Sequence, residues 1–128
     1  MKTLVNATRA QHGLRPLRFV GILDRSSLLK AKAIRRCGSF SHTPCGAPFR
    51  RTFHQVGYGS RSIGENLAWG TGGSAGSQAI LSSWLASPKH RAMLLSARWR
   101  EAGVAAVEAP SLAGHAHVRL WVLQFGRR

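Results

Sequence analysis

One carboxylate in the middle of an apolar stretch constrains this chain more than any other feature. Glu65 stands in Ile63-Gly64-Glu65-Asn66-Leu67-Ala68-Trp69. The stretch reads as a strand, and in an extended chain Ile63, Glu65, Leu67 and Trp69 share one face. A carboxylate on such a face is stable only when it is paired, hydrogen-bonded or bound to a metal. The fold must therefore bring a partner to it. Acid is scarce: Asp24, Glu65, Glu101 and Glu108 are the four acidic residues among 128. Two histidines lie among strong local signals, His42 in Phe40-Ser41-His42-Thr43-Pro44 and His90 in Ser87-Pro88-Lys89-His90-Arg91. Glu65 is expected to be buried and hydrogen-bonded, with these histidines as its best-placed partners. Glu101 and Glu108 are expected at the surface.

The length suits one domain, residues 1–128, with one core. A hydrophobic content of 44% with four Trp and five Phe is that of a globular chain. No apolar run approaches transmembrane length. Met1-Lys2 leads directly into a helical pattern, so no signal peptide is read in this stretch. The net charge is +15, from 15 Arg and 4 Lys against the four acids. Such a surface attracts polyanions without sequence preference. The basic residues are dispersed, with no tract longer than two and no aromatic-basic alternation, which argues against a dedicated nucleic-acid groove.

Cys37 and Cys45 flank a turn containing Gly38 and Pro44, with Gly46 beyond it. The spacing is not that of a CxxC zinc or redox site. Two free buried thiols are one reading. A short-loop disulfide is the expectation, because it would pin the loop that carries His42. It would contribute ~2.5 kcal/mol in the chain-entropy model and implies an oxidising compartment.

The pattern predicts a first helix over Thr3–His12, then a linker from Leu14 to Leu23. Asp24 is read as the N-cap of a second helix reaching Arg36, with Leu29, Ala33, Ile34 and Cys37 as its apolar stripe. A His-bearing loop covers Ser39–Ala47, and Pro48 opens a short helix to Val56. Ile63–Trp69 is the first strand, and Gly70–Ser74 a flexible loop without the Gly-Lys-Ser/Thr of a P-loop. A third helix runs over Ala75–Ala86, with Ile80, Leu81, Trp84 and Leu85 on one face. Ser87 caps a further turn reaching Ser96, with Pro88 at its first position. Two strands close the chain, Ala102–Glu108 and Val118–Phe125, the second apolar on both faces as a covered central strand would be. The loop between them holds Pro110, Gly114, His115 and His117. Helices first and strands last indicate an α+β domain.

Trp69, Trp84, Trp99 and Trp121 read as core aromatics, and His115 and His117 as solvated loop histidines. Ser41 and Thr43 flank His42 in sequence, but no orienting acid accompanies them, so a serine hydrolase is not indicated.

Taken in order, the motifs resemble one family, the CAP superfamily of cysteine-rich secretory proteins, antigen 5 and group-one pathogenesis-related proteins, also called the SCP-like extracellular domain. The match is to its short bacterial type. Leu4-Val5-Asn6 with Arg9, then His12-Gly13-Leu14 and Pro16-Leu17, is similar to the opening helix. Phe40-Ser41-His42 resembles the first histidine motif, and Gly64-Glu65-Asn66-Leu67 the Gly-Glu-Asn signature. Trp84 with Ser87-Pro88-Lys89-His90-Arg91 resembles the second histidine motif. Trp121-Val122-Leu123-Gln124-Phe125-Gly126 resembles the closing strand.

The resemblance implies a three-layer α-β-α sandwich with a cleft lined by two His and two acids, where some members hold zinc or another divalent cation. Here the matching residues are His42, Glu65 and His90. The fourth, acidic position has no counterpart in Thr43-Pro44-Cys45-Gly46-Ala47-Pro48; the cysteine there resembles a variant that exchanges the acid for a crosslink. Two imidazoles, one carboxylate and a water could complete a zinc tetrahedron. With the fourth ligand missing, a cleft without metal is the expectation and a zinc site the alternative.

The functional expectation is a secreted or cell-envelope monomer acting as a non-enzymatic binding module. Its ligand would be a small apolar molecule such as a lipid, or a glycan or cell-wall component. The competing readings are a zinc-dependent hydrolase using His42, Glu65 and His90, and charge-driven polyanion binding.

Overall fold

The computed structural model describes residues 1–128. In chain order, α1 spans Lys2–Gln11, β1 Arg18–Phe19, α2 Gly21–Cys37, α3 Arg51–Gln55, β2 Ser62–Thr71, α4 Ser77–Ala86, α5 Pro88–Leu94, β3 Glu101–Leu112 and β4 His115–Arg127. The four strands form one sheet in the order β1-β3-β4-β2. β1 runs parallel to β3, and the other pairs are antiparallel. The architecture is α+β, with helices covering both faces of the sheet.

The alternation along β4 sets the layers. Trp121, Leu123 and Phe125 point to one side, where they pack with Val5 of α1, Ile80, Leu81 and Trp84 of α4, and Leu94 of α5. Val118, Leu120 and Val122 point to the other, against Ala31 and Ile34 of α2. This is the covered central strand expected from its two-sided apolar pattern. The predicted loop between the last two strands is instead a tight hairpin. Leu112 pairs with His115, so only Ala113 and Gly114 turn the chain, and both have positive φ, 51° and 79°. A two-residue turn of that hand matches the twist of the flanking strands. Similarly, Gly70 and Thr71 belong to β2, and Gly72–Ala75 forms a 3-10 turn closed by reciprocal bonds between Thr71 and Ser74.

Two expectations for α2 are corrected. It begins at Gly21, because part of the predicted linker is the parallel strand β1 and leaves a short connection. Asp24 is therefore not its cap. Its carboxylate accepts the Val104 N–H at 2.9 Å and the Lys2 ammonium at 3.1 Å. Of the predicted stripe, only Ile34 is buried. Leu28 and Leu29 are exposed, whereas Leu23, Ser26, Ser27, Lys30, Ala31 and Ile34 are buried. The cause lies in β3. Gly103 sits so close under the helix that a Cβ there would overlap the backbone of Leu23 and Asp24. Small residues must face it, and the Ser27 hydroxyl donates to the Gly103 carbonyl at 3.1 Å.

Glu101 is a further correction, since it is buried rather than superficial. The Tyr58 hydroxyl donates to it at 2.7 Å, Arg128 makes two bonds of 2.9 Å, and Arg18 a third of 2.9 Å. The Arg128 hydrogen bonds are the main reason its carboxyl titrates down at about 2. A local reading missed it because its partners come from distant segments. Glu108 is at the surface as expected, paired with Arg119 at 2.6 Å.

The close approach at Gly103 gives a direct test. Gly103→Ala should cost about 1–3 kcal/mol by forcing α2 away from the sheet. Gly73→Ala, with nothing within 4 Å of the added carbon, should stay within about 0.5 kcal/mol. Urea denaturation of the two variants provides the comparison.

Candidate functional site

The site is built around the edge strand β2. Ile63 packs beside Leu23, Phe53 and Tyr58, while Leu67 and Trp69 pack on the α2 side of the sheet. Glu65 lies between them on the same face, as the period of two requires. Its side chain has no solvent exposure. Directly across the ladder from it is Gln124 of β4. The Gln124 amide donates to Glu65 Oε2 at 2.8 Å, and His42 Nδ1 lies 2.7 Å from Oε1. Lys30 of α2 brings its ammonium to 3.5 Å from Oε2.

Lys30 also fixes the loop that delivers His42. Its Nζ donates to the His42 carbonyl at 2.6 Å and lies 4.8 Å from the Phe49 ring centre. On the far side of the loop, Cys37 at the end of α2 is bonded to Cys45, with Cα atoms 5.6 Å apart. The expected disulfide is thus present and pins the loop to the helix that holds Lys30. Burial pushes the Lys30 ammonium below its ordinary value, and the Glu65 charge opposes that fall.

This geometry dictates what His42 can offer. An ionised carboxylate only accepts, so Nδ1 carries the proton in the His42–Glu65 bond. In the neutral ring Nε2 then holds a lone pair, and the side chain is 52% exposed. The inner nitrogen is committed to the core, and the outer one is left for a ligand, as an acceptor in the neutral ring and as a donor in the protonated one.

His90 enters from the other layer. Ser87 and Pro88 start α5 as predicted, but the Ser87 hydroxyl makes no bond to the helix backbone. It pairs with His90 Nδ1 at 2.8 Å instead. Asn66, next to Glu65, donates to the His90 carbonyl at 3.0 Å and ties α5 to β2. Burial first, and then the charge of His42, lowers the His90 pKa below its ordinary value. His42 and Glu65 are therefore joined directly. His90 hydrogen-bonds to neither, and its carbonyl is tied to Asn66, the neighbour of Glu65.

These residues do not fit a divalent ion. Both Glu65 oxygens accept hydrogen bonds from protein donors, and a lysine ammonium already stands beside the carboxylate. No three His, Cys, Asp or Glu side chains converge as a ligand set. The stretch that lacks the fourth acid holds the disulfide. Lys30 supplies the positive charge that faces the carboxylate.

Lys30 and Gln124 were not among the expected site residues. Gln124 was detectable as a polar residue inside the apolar run Leu120–Phe125. Lys30 was detectable as the end of a polar row, Ser26, Ser27 and Lys30, at helical spacing. Trp69 is half-buried and packs at a tilt against His115, with ring centres 4.7 Å apart. That contact joins the end of β2 to the start of β4 and is separate from this site.

The lowered His90 pKa has a definite sign. The unfolded chain binds this proton more readily, so stability falls as pH drops through and below the ordinary value of 6.5 and is regained above it. Urea midpoints between about pH 5 and about pH 7.5 should show a shallower slope for His90→Gln than for the parent protein. His115→Gln should keep the parent slope. Equal slopes in all three would contradict the assignment.

The comparisons with known proteins agree with this architecture. The family model described as cysteine-rich secretory protein family, CAP, matches residues 2–125. The uncharacterised protein YkwD of Bacillus subtilis is 29% identical over 124 residues; these are 95% of this chain but 44% of that protein, so the chain spans under half of its relative's length. An outer surface protein of Borrelia burgdorferi superposes with a TM-score of 0.82 at 19% identity, over 99% of this chain and 89% of that one. An extracellular SCP-domain protein of Bacillus anthracis gives 0.80 at 23% identity, covering 99% and 39% respectively. At those identities the two structures speak for the fold, and the family model carries the classification. The chain belongs to the CAP family of cysteine-rich secretory proteins.

Proposed function

We propose that this chain acts as one domain, a non-enzymatic binding module working outside the cytoplasm, secreted or in the cell envelope. The observation that carries this reading is the complete engagement of Glu65. Its two oxygens are taken by His42 and Gln124, with Lys30 alongside, so no free carboxylate remains to act as a general base. The group turned to solvent is the His42 ring, whose Nε2 can accept a hydrogen bond. Phe40, two residues away, is 41% exposed and offers an apolar surface. The Phe49 ring lies 6.1 Å from the His42 ring, and an acceptor beside an aromatic ring suits a hydroxyl-rich ligand such as a glycan or cell-wall component. His42 and His90 are assigned to the face that takes it. The disulfide and the extracellular or surface proteins among its structural neighbours support the location. No helix is long and apolar enough to cross a membrane.

The test is retention on purified peptidoglycan at about 0.3 M salt, where charge-only attraction is screened. His42→Ala should weaken retention at least about tenfold, and His115→Ala should leave it unchanged. Release of soluble fragments that stops in His42→Ala would establish a hydrolase instead. Retention that vanishes with salt for every variant would assign the binding to net charge alone.

A further inference from the structure

A concavity lined in part by Lys30 opens beside α2. It lies between α2 and the disulfide-closed loop with α3, has a volume of about 380 Å³, and is lined by neither His42 nor Glu65. That is within the roughly 300–1,000 Å³ range of small-molecule sites. Lys32 and Arg36 line it from α2, Arg51 from α3, and Lys30 reaches it from within. No carboxylate lines it.

The three outer cations share one cleft and have no acidic partner there. The four acids are committed elsewhere: Asp24 to Lys2, Glu65 to Lys30 and His42, Glu101 to Arg18 and Arg128, and Glu108 to Arg119. Lys32, Arg36 and Arg51 make no ion pair and no side-chain hydrogen bond. A cleft lined by one sign of charge concentrates its field and raises the local concentration of counter-ions. Its walls are fixed by the disulfide on one side and by the Ser26–Thr52 hydroxyl bond of 3.0 Å on the other.

We infer that this cleft is a binding site for a small, soluble, multiply charged anion of the phosphate class. Charge number and donor shape select that chemistry. Three cations lining one cleft over-neutralise a single carboxylate and match a pyrophosphate or a phosphomonoester. The two guanidinium groups offer planar donor pairs that suit phosphate oxygens. The site is separate from the His42 face and stands whether or not that face binds a glycan.

The experiment titrates inorganic pyrophosphate into isotopically labelled, disulfide-intact protein near physiological ionic strength, about 0.15 M. Amide shifts should cluster on α2 around Lys32 and Arg36 and on α3 from Arg51 to Gln55. The double variant Arg36→Gln/Arg51→Gln should bind at least about tenfold more weakly. The charge-matched control Arg15→Gln/Arg127→Gln, with an equal loss of surface charge, should bind as the parent does. All four side chains are exposed, and the amide spectrum verifies that each variant is folded. Three results would overturn the site: shifts scattered over the basic surface, equal weakening in both double variants, or no pyrophosphate binding at this salt. Vesicles of phosphatidylglycerol form a second arm. Vesicle binding that pyrophosphate does not displace would likewise exclude a soluble-anion site.

Discussion

The buried carboxylate of Glu65 is the constraint on which the rest of the site depends. A charge with no solvent contact needs donors, and each donor here arrives from a different element. Gln124 comes from the neighbouring strand, Lys30 from α2 and His42 from the loop after it. Satisfying one carboxylate therefore docks the edge strand, the long helix and the histidine loop on one another. Lys30 makes the arrangement tighter, because the same ammonium holds the His42 carbonyl. The disulfide closes the remaining freedom of that loop.

A cation is built into this cluster as a side chain. In a site matching one where some members of the family hold a divalent ion, the charge opposite Glu65 is an ammonium fixed by the fold. That changes what the site can do. His42 is oriented by its inner hydrogen bond, with its outer nitrogen turned to solvent, and no open coordination position is involved. The basic cleft lined in part by Lys30 follows from the same shortage of acid. With every carboxylate engaged, the cations along α2 and α3 keep their full field.

Much of this could be read from the chain. Glu65 in an apolar strand had to be buried and bonded, and it is. The two-sided apolar run of β4 placed it at the centre of the sheet. Ile80, Leu81 and Trp84 marked the inward face of α4, and the cysteine spacing anticipated the crosslink. The failures share one physical cause, which is contact between distant segments. Hydropathy turns Leu29 inward and Lys30 outward; Gly103 and Glu65, far along the chain, reverse both. Glu101 looked superficial because Tyr58 and Arg128 lie 43 and 27 residues away in sequence. The hairpin was hidden because Ala113 adopts a left-handed conformation that its side chain does not advertise.

The central claim is that Lys30 and Glu65 stabilise the site as a pair, and a double-mutant cycle between Lys30→Met and Glu65→Gln measures it. Removing one member leaves the other charge buried and uncompensated, so each single change should cost about 3–5 kcal/mol. The double variant should be cheaper than the sum of the two by at least about 1 kcal/mol. Additivity within about 0.5 kcal/mol would mean that the two residues act independently, and would contradict the account.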